Sequence, residues 1–211
     1  MKTLSMIAQK GGTGKTTLSI HLAVQASLDG LKVLLVDVDP QASATAWWRR
    51  RPQPWPALVQ GRGREIADVL RTARDQGYDL VVIDTAPHSS EDARSCARSS
   101  DQVCIPTHPA ILDLDAIGTS TELVSEIGVA AMIVLNGCPP PTLFGEPHIV
   151  VEARQALAVY GVAVSEAAIS QRVAFSHALI DGRAVSEFDG NGKAAGEVGR
   201  LWRVLRQELA L

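Results

Sequence analysis

The chain has 211 residues, of which 46% are hydrophobic and only 4% aromatic, and its formal net charge is −3. This length predicts one domain spanning residues 1–211, and the composition predicts a core of aliphatic side chains, which suits a buried parallel sheet. The charge excludes a globally basic surface, so nucleic-acid binding would need a local patch. The three separated cysteines predict buried free thiols, and a span of roughly 18 apolar residues, as a membrane requires, is absent from the sequence.

Short apolar runs alternate with helix-like segments along the chain. Strands are predicted at residues 4–8, 32–39, 79–84, 102–106, 130–136 and 162–164. Helices are predicted at residues 18–27, 42–51, 66–74, 91–99, 114–127, 150–160, 173–181 and 194–209. Three prolines predict extended chain over residues 51–57. This order predicts an α/β fold, with a doubly wound, mostly parallel sheet that carries helices on both faces.

A glycine-rich loop separates the first predicted strand from the first predicted helix. From Gln9 to Thr17 it is Gln-Lys-Gly-Gly-Thr-Gly-Lys-Thr-Thr. Strand, glycine loop and helix form the context of a phosphate-binding loop, because glycines let backbone N–H groups surround an anion and the helix N-terminus adds free donors. Lys15 is expected to reach the β- and γ-phosphates of a nucleotide, and the Thr16 hydroxyl to bind Mg²⁺. The predicted nucleotide-binding residues of the loop are Lys10, Gly11, Gly12, Thr13, Gly14, Lys15, Thr16 and Thr17.

The loop departs from the standard phosphate-loop pattern in a specific way. Gln9 stands where that pattern has a glycine, and a second lysine, Lys10, directly precedes Gly11. The segment resembles the deviant Walker A motif, K-G-G-x-G-K-[ST], of the ParA/MinD superfamily. The resemblance implies a P-loop ATPase that uses ATP and Mg²⁺ and forms a homodimer in the ATP state, with Lys10 crossing the interface to touch the partner's nucleotide. It covers nearly the whole chain except residues 47–77.

Carboxylates close two of the predicted strands. Ligands of open α/β sheets bind at the carboxyl ends of the strands, where Asp37 and Asp39 follow one strand and Asp84 another. Because Mg²⁺ prefers oxygen ligands, Asp37 and Asp84 are predicted to bind the metal together with Thr16; for any single aspartate the alternative is a cap or turn residue. By resemblance to the family's switch I, Asp39 is expected to orient the attacking water. The predicted catalytic residues are Lys10, Lys15 and Asp39.

Asn136 ends a predicted strand at the position where members of this family contact adenine. A GTPase would carry Asn-Lys-x-Asp there, whereas this chain has Asn-Gly-Cys-Pro, which favours ATP. Residues 169–172 resemble the second adenine-side loop of the family. His88 is expected to be an exposed loop histidine, with titration near the γ-phosphate as the alternative.

The C-terminal part of the chain contains arginines that could form a basic patch. By resemblance, ATP-state dimers bind DNA without sequence preference, and the predicted contacts are Arg183, Arg200, Arg203 and Arg206. A solvated charged face and a second patch at residues 49–51 remain open as alternatives. Residues 200–209 could also form a basic amphipathic helix on a membrane surface, but core packing of its apolar side is the favoured interpretation.

The resemblance implies an ATP-driven dimer switch for plasmid or chromosome partitioning. Its weak intrinsic ATPase activity would be stimulated by a ParB-type centromere-binding protein, and the protein would be cytoplasmic, nucleoid-associated in the ATP state and without stable membrane insertion. Because the phosphate loop begins by residue 10, the small, plasmid-like type is expected. The alternative is a ParA/MinD-like adaptor ATPase that positions a non-DNA cargo or a membrane-associated complex. A non-hydrolysing binding module is disfavoured by the intact lysines and aspartates.

Overall fold

A computed structural model describes residues 1–87, 90–110, 113, 116–143 and 145–211. Its strands are β1 (Lys2–Met6), β2 (Val33–Asp37), β3 (Ala57–Gln60), β4 (Leu80–Asp84), β5 (Gln102–Thr107), β6 (Ala131–Leu135) and β7 (Ala163–Val164). They form one sheet in the order β3-β2-β4-β1-β5-β6-β7, and the paired strands run parallel. The predicted doubly wound parallel sheet is therefore confirmed.

The helices that the structure describes lie on both faces of this sheet. They are α1 (Lys15–Leu28), α2 (Ser43–Trp48), α3 (Ile66–Asp75), α4 (Ser90–Arg98), α5 (Gly118–Ile127), α6 (His148–Leu157), α7 (Val173–Ile180), α8 (Val185–Phe188) and α9 (Lys193–Glu208). None of these helices is long and apolar enough to cross a membrane. The first two residues of the predicted helix 114–127, and His88, lie outside the described residues.

Alternating strand residues supply the core on the two faces of the sheet. Leu4 and Met6 of β1 pack with apolar residues of α1 and α9 on one face. Val103 and Ile105 of β5 pack with α4, α5 and α6 on the other face. Successive side chains of a strand point to opposite faces, so strands that are apolar throughout can support helix layers on both.

The strand β3 is absent from the strands predicted from the sequence, and the prediction is corrected here. It pairs with β2, with Leu58 opposite Leu35, and it begins where the predicted extended segment 51–57 ends. The sequence signal is weak because β3 is a short edge strand whose first two residues are half-buried and whose last two are exposed. The predicted helix 42–51 is also shorter, since α2 ends at Trp48.

The C-terminal helix α9 packs its apolar side into the core. Leu201, Trp202, Leu205 and the following Leu209 are at most 1% exposed. The Trp202 Nε1–H donates to Asp29 Oδ2 over 2.7 Å, next to the end of α1. The core-packing interpretation is thus confirmed, and this apolar stripe is not available to a membrane surface.

The three cysteines are buried and free, as predicted. Burial raises the pKa of each thiol to about 12. They are therefore thiols rather than thiolates near neutral pH, which makes them poor nucleophiles and poor metal ligands.

Candidate nucleotide site

The glycine loop follows the central strand β1, which lies between β4 and β5. Gly12 and Gly14 have φ values of +78° and +95°, in the left-handed region that favours glycine. Gly14 is the N-cap of α1, and a Cβ there would collide with the side-chain amide of Asn136. The loop thus needs glycine at both positions, and it delivers the chain directly into a helix N-terminus, where backbone donors favour an anion.

Lys15 lies inside this loop rather than in solvent. Its Nζ donates to the carbonyl oxygens of Ala8 at 2.9 Å and Lys10 at 3.3 Å, and the residue is only 6% exposed. Burial lowers the pKa of the ammonium, while the nearby carboxylates of Asp84 and Asp39 oppose that shift. A cation held this way is placed to exchange backbone carbonyls for the oxygens of a bound phosphate.

Asp84, at the end of β4, is fully buried beside the loop. Burial raises its pKa to about 7, against the opposing effect of the Thr16 and Ser19 hydroxyls. Ser19 Oγ donates to Asp84 Oδ1 over 3.2 Å, whereas Oδ2 has no hydrogen-bond partner within the described residues. An unpaired buried carboxylate oxygen next to a hydroxyl fits a hard cation such as Mg²⁺.

A metal here would depend on the nucleotide as well as on the protein. Within the part of the chain that the structure describes, no three histidine, cysteine or acidic side chains are grouped so as to hold a metal ion. Mg²⁺ is commonly held by one or two carboxylates together with substrate phosphates and water. Thr16 and Asp84 are the residues that would complete such a shell.

Asp37 lies opposite Asp84 on the adjacent strand β2, but its oxygens are already engaged. Oδ2 accepts hydrogen bonds from the backbone N–H and the hydroxyl of Thr45, at 2.8 and 2.7 Å. Oδ1 accepts from the Asp39 N–H at 3.2 Å. Asp37 thus ties the start of α2 to the end of β2, which is the structural alternative named above; metal binding by Asp37 stays a prediction.

Asp39 and the loop line a common cavity of about 370 Å³. The Asp39 carboxylate accepts a hydrogen bond from the Gln41 N–H at 2.9 Å, so the backbone of its own turn orients it. The lining residues are Gly11, Gly12, Gly14, Lys15, Thr16, Thr17, Asp39, Gln41 and Pro87. The structure therefore brings most of the predicted loop residues and one predicted catalytic aspartate to the same space.

Lys10 makes a contact within its own chain. Its half-exposed ammonium lies 3.0 Å from Asp113 Oδ1, and His108 Nδ1 lies 3.6 Å from the same oxygen. The segment that contains Asp113 resembles one that the family uses at the dimer face and around the nucleotide, but no individual role is predicted for Asp113, because one aspartate after a strand has no distinguishing signal. Contact of Lys10 with a partner's nucleotide stays a prediction.

Asn136 follows β6 and contacts the glycine loop. Its Nδ2 donates to the Thr13 carbonyl at 2.8 Å, so it covers the loop from the side of residues 169–172. Cys138 and Ser170 form a parallel β-bridge next to it. Contact of Asn136 with adenine stays a prediction, although its position beside the loop agrees with it.

The four predicted DNA-contacting arginines fall into two groups in the structure: two are exposed and line a cavity, and two form ion pairs with aspartates. Arg200 and Arg203 are exposed on α9 and line one cavity. Arg183 pairs with Asp181 at 2.7 Å, and Arg206 with Asp29 at 3.4 Å.

The alternative patch at residues 49–51 is reduced by Arg51, whose side chain is 0% exposed and pairs with Glu187. Arg51 therefore has a structural role, which the sequence alone does not predict because its partner Glu187 is distant along the chain.

Comparison with known proteins agrees with this geometry. Residues 4–185 match the family described as the CobQ/CobB/MinD/ParA nucleotide binding domain. The chain belongs to this family. The resemblance to the ParA/MinD superfamily is therefore confirmed, and with it nucleotide binding as the shared property of the fold.

Individual ParA/MinD relatives differ in what their names assign to them. The chain is 34% identical to the maintenance of carboxysome distribution protein A of Gloeobacter kilaueensis, over 99% of this chain and 94% of that protein. It is 30% identical to the chromosome-partitioning ATPase Soj of Thermus thermophilus, over 60% of this chain and 63% of that protein. Among solved structures, MinD of Pyrococcus horikoshii complexed with Mg-ADP has a TM-score of 0.79 at 19% identity, covering 97% and 95% of the two chains.

Proposed function

We propose that this ParA/MinD-family protein is an ATP-hydrolysing switch that dimerises in the ATP state. The observation that carries the proposal is the convergence of Lys15, Thr16 and Asp39 on one cavity, with the unpaired Asp84 oxygen beside it. Phosphoryl transfer needs mainly positioning and charge neutralisation, and these residues supply a cation, a metal-binding pair and a carboxylate that can orient water.

The switch is proposed to act on DNA in plasmid or chromosome partitioning. In this proposal the ATP dimer binds DNA without sequence preference, which would make it nucleoid-associated within the cytoplasm, and a ParB-type centromere-binding protein stimulates hydrolysis and releases it. The exposed Arg200 and Arg203 on α9, and the similarity to a chromosome-partitioning ATPase, support it.

A second candidate function is the positioning of a non-DNA cargo. It is favoured by one observation, the similarity over nearly the full length of both chains to a carboxysome distribution protein. The same nucleotide cycle would then serve to distribute a protein body rather than DNA.

The first experiment is binding of the purified protein to random-sequence duplex DNA with ATP, ADP or no nucleotide, at two salt concentrations. Binding that needs ATP and weakens steeply with salt is expected, because contacts to phosphates release counterions. ATP-driven dimerisation without DNA binding in any state would overturn DNA as ligand and favour an adaptor.

The nature of the stimulating partner distinguishes the two candidate functions. A partner that accelerates ATP turnover and itself binds a specific DNA site supports partitioning. A partner that accelerates turnover and binds no DNA, but localises to a protein body, supports the second candidate.

A further inference from the structure

A buried ion cluster joins α9 to the loop beside the nucleotide site. The Glu197 carboxylate is 2% exposed. It accepts hydrogen bonds from the Ser170 N–H at 3.0 Å and the Ser170 hydroxyl at 2.7 Å. It also accepts from Arg172 Nε at 3.0 Å and Nη2 at 2.7 Å. A buried carboxylate with this many donors holds its partners in a fixed geometry, unlike a solvated ion pair at the surface.

The loop that Glu197 holds is hydrogen-bonded on its other side to the segment after β6. The Cys138 N–H donates to the Ile169 carbonyl at 3.0 Å, and the Gln171 N–H donates to the Cys138 carbonyl at 2.7 Å. Two residues earlier, Asn136 donates to the Thr13 carbonyl of the glycine loop. The contacts therefore run without a break from the glycine loop through residues 136–138 and 169–172 to Glu197.

Glu197 also lies next to the exposed basic residues of α9. Arg200 follows it by three residues and Arg203 by six, and all three line the same cavity of about 440 Å³. Residues three and four apart on a helix lie on neighbouring parts of its surface. A shift of Glu197 would therefore move the basic surface of α9.

We propose that Glu197 is a positioning residue that couples nucleotide occupancy to the basic surface of α9. Nucleotide binding to the glycine loop shifts the segment 136–138, which Asn136 joins to that loop, and the 169–172 loop moves with this segment through its backbone hydrogen bonds. Because Glu197 is bonded to the 169–172 loop, α9 moves with it and changes the position of Arg200 and Arg203. The inference rests on the proposed function, since it takes ATP and DNA as the two ligands.

The coupling can be measured as the ratio of the ATP affinity in the presence of DNA to the ATP affinity in its absence. By thermodynamic linkage, if ATP favours DNA binding, DNA must tighten ATP binding by the same factor. The assay is equilibrium titration of a fluorescent ATP analogue with Mg²⁺, with and without a random-sequence duplex, on the full chain. Typical coupling factors are roughly 5- to 150-fold, and in Glu197→Gln the ratio is expected to fall close to one, with the KM for ATP rising more than kcat falls.

Two further variants separate coupling from stability. Glu208→Gln, an exposed carboxylate on the same helix, should retain the wild-type ratio. The double variant Arg172→Gln/Glu197→Gln removes both charges, so it should recover part of any thermal stability lost in Glu197→Gln, because a single buried charge is no longer left unpaired. The ratio should nevertheless stay close to one.

The outcomes distinguish this inference from the function beneath it. A wild-type protein whose ATP affinity does not respond to DNA would overturn both the positioning role of Glu197 and the proposed ATP-dependent binding of DNA. A wild-type protein with clear coupling, together with an unchanged ratio in Glu197→Gln, would overturn the positioning role alone and leave the ATP and DNA assignments intact.

Discussion

Asp84 occupies an unfavourable position for a charge, and that position has a consequence for stability. Its pKa is raised from 3.8 to about 7 in the folded protein, so the folded state binds the proton more tightly than the unfolded state. The stability of the folded state must therefore fall as pH rises from about 4 to about 7, and the whole penalty is present at pH 8. At about 1.4 kcal/mol per pH unit, the penalty is up to about 4 kcal/mol.

Asp84→Asn should accordingly stabilise the nucleotide-free protein at pH 8 while removing Mg²⁺-dependent ATP hydrolysis. Urea unfolding at pH 8 measures the first effect, and phosphate release measures the second. Asp75→Asn, an exposed carboxylate on α3, is the control and should change neither. An Asp84→Asn protein that is no more stable than the wild type would show that burial does not strain this carboxylate.

Lys15 and Asp39 are expected to fail in different ways when each is replaced by alanine. Lys15→Ala removes the buried cation of the loop, so ATP affinity should fall by at least about 100-fold, in line with a lost charge-assisted contact of roughly 3 kcal/mol. Asp39→Ala should still bind ATP and dimerise, but should not hydrolyse it, since its carboxylate faces the cavity. Nucleotide titration and single-turnover assays separate the two; normal turnover by Asp39→Ala would remove its proposed role in orienting water.

Between elements, a buried histidine links α1 to α8. His21 Nδ1 accepts a hydrogen bond from the Val185 N–H at 3.2 Å, its ring packs edge-on against Phe175, and its Nε2 has no partner among the described residues. Burial lowers its pKa from 6.5 to about 3, so the folded state keeps the ring neutral. The helix contact is thus fully stable above pH 6.5 and loses stability as pH falls, because only the unfolded chain takes up the proton.

His21→Asn should flatten this dependence, since the amide oxygen can still accept from Val185 but does not titrate. Between pH 7 and pH 5 the wild type should lose about 2 kcal/mol more stability than the variant, from 1.5 pH units at about 1.4 kcal/mol each. Comparing the two proteins also cancels the opposite contribution of Asp84, which both retain. Equal pH slopes would contradict a neutral buried His21.

Arg51 makes the corresponding link between the end of α2 and α8. Its Nη1 and Nη2 donate to the two carboxylate oxygens of Glu187 at 2.9 and 2.8 Å, and its guanidinium lies 5.0 Å from the ring centroids of both Trp47 and Trp55. Arg51→Ala leaves a carboxylate without its partner, so unfolding free energy should fall by about 3–5 kcal/mol. Arg49→Ala, at an exposed site, should change it by less than about 0.5 kcal/mol.

These contacts show which elements the sequence can predict. Strands such as β4 are predictable because they are continuous apolar runs, here four apolar residues followed by Asp84, and all five residues are buried. The glycine loop is predictable because the geometry of a bound phosphate fixes its residue types. The edge strand β3 is not, since its burial is partial and its pattern weak. Arg51, Asp113 and Glu197 carry ordinary side chains, and only the folded chain brings each to its distant partner.

On the scale of the whole molecule, the parallel sheet places the nucleotide cavity and the basic surface of α9 on elements that share one core. Helix α1 begins at the glycine loop and packs against α9, and Leu18, Leu22 and Leu205 belong to the same apolar cluster. The proposed function separates two roles: the loop would bind nucleotide, and the exposed arginines of α9 would bind DNA. That division can be tested without disturbing the core, because Arg200 and Arg203 are exposed.

Arg200→Ala/Arg203→Ala should weaken DNA binding in the ATP state while leaving ATP affinity unchanged in the absence of DNA. Each phosphate contact that is lost should reduce the slope of log affinity against log salt by about 0.9, so the salt dependence reports contacts and not merely affinity. Arg183→Ala is the matched comparison, because its guanidinium is already paired with Asp181 and its loss should have a smaller effect on the slope. If the slope stays at the wild-type value in the double variant and falls in Arg183→Ala, DNA lies against the α7–α8 connection, and α9 serves the nucleotide site without touching DNA.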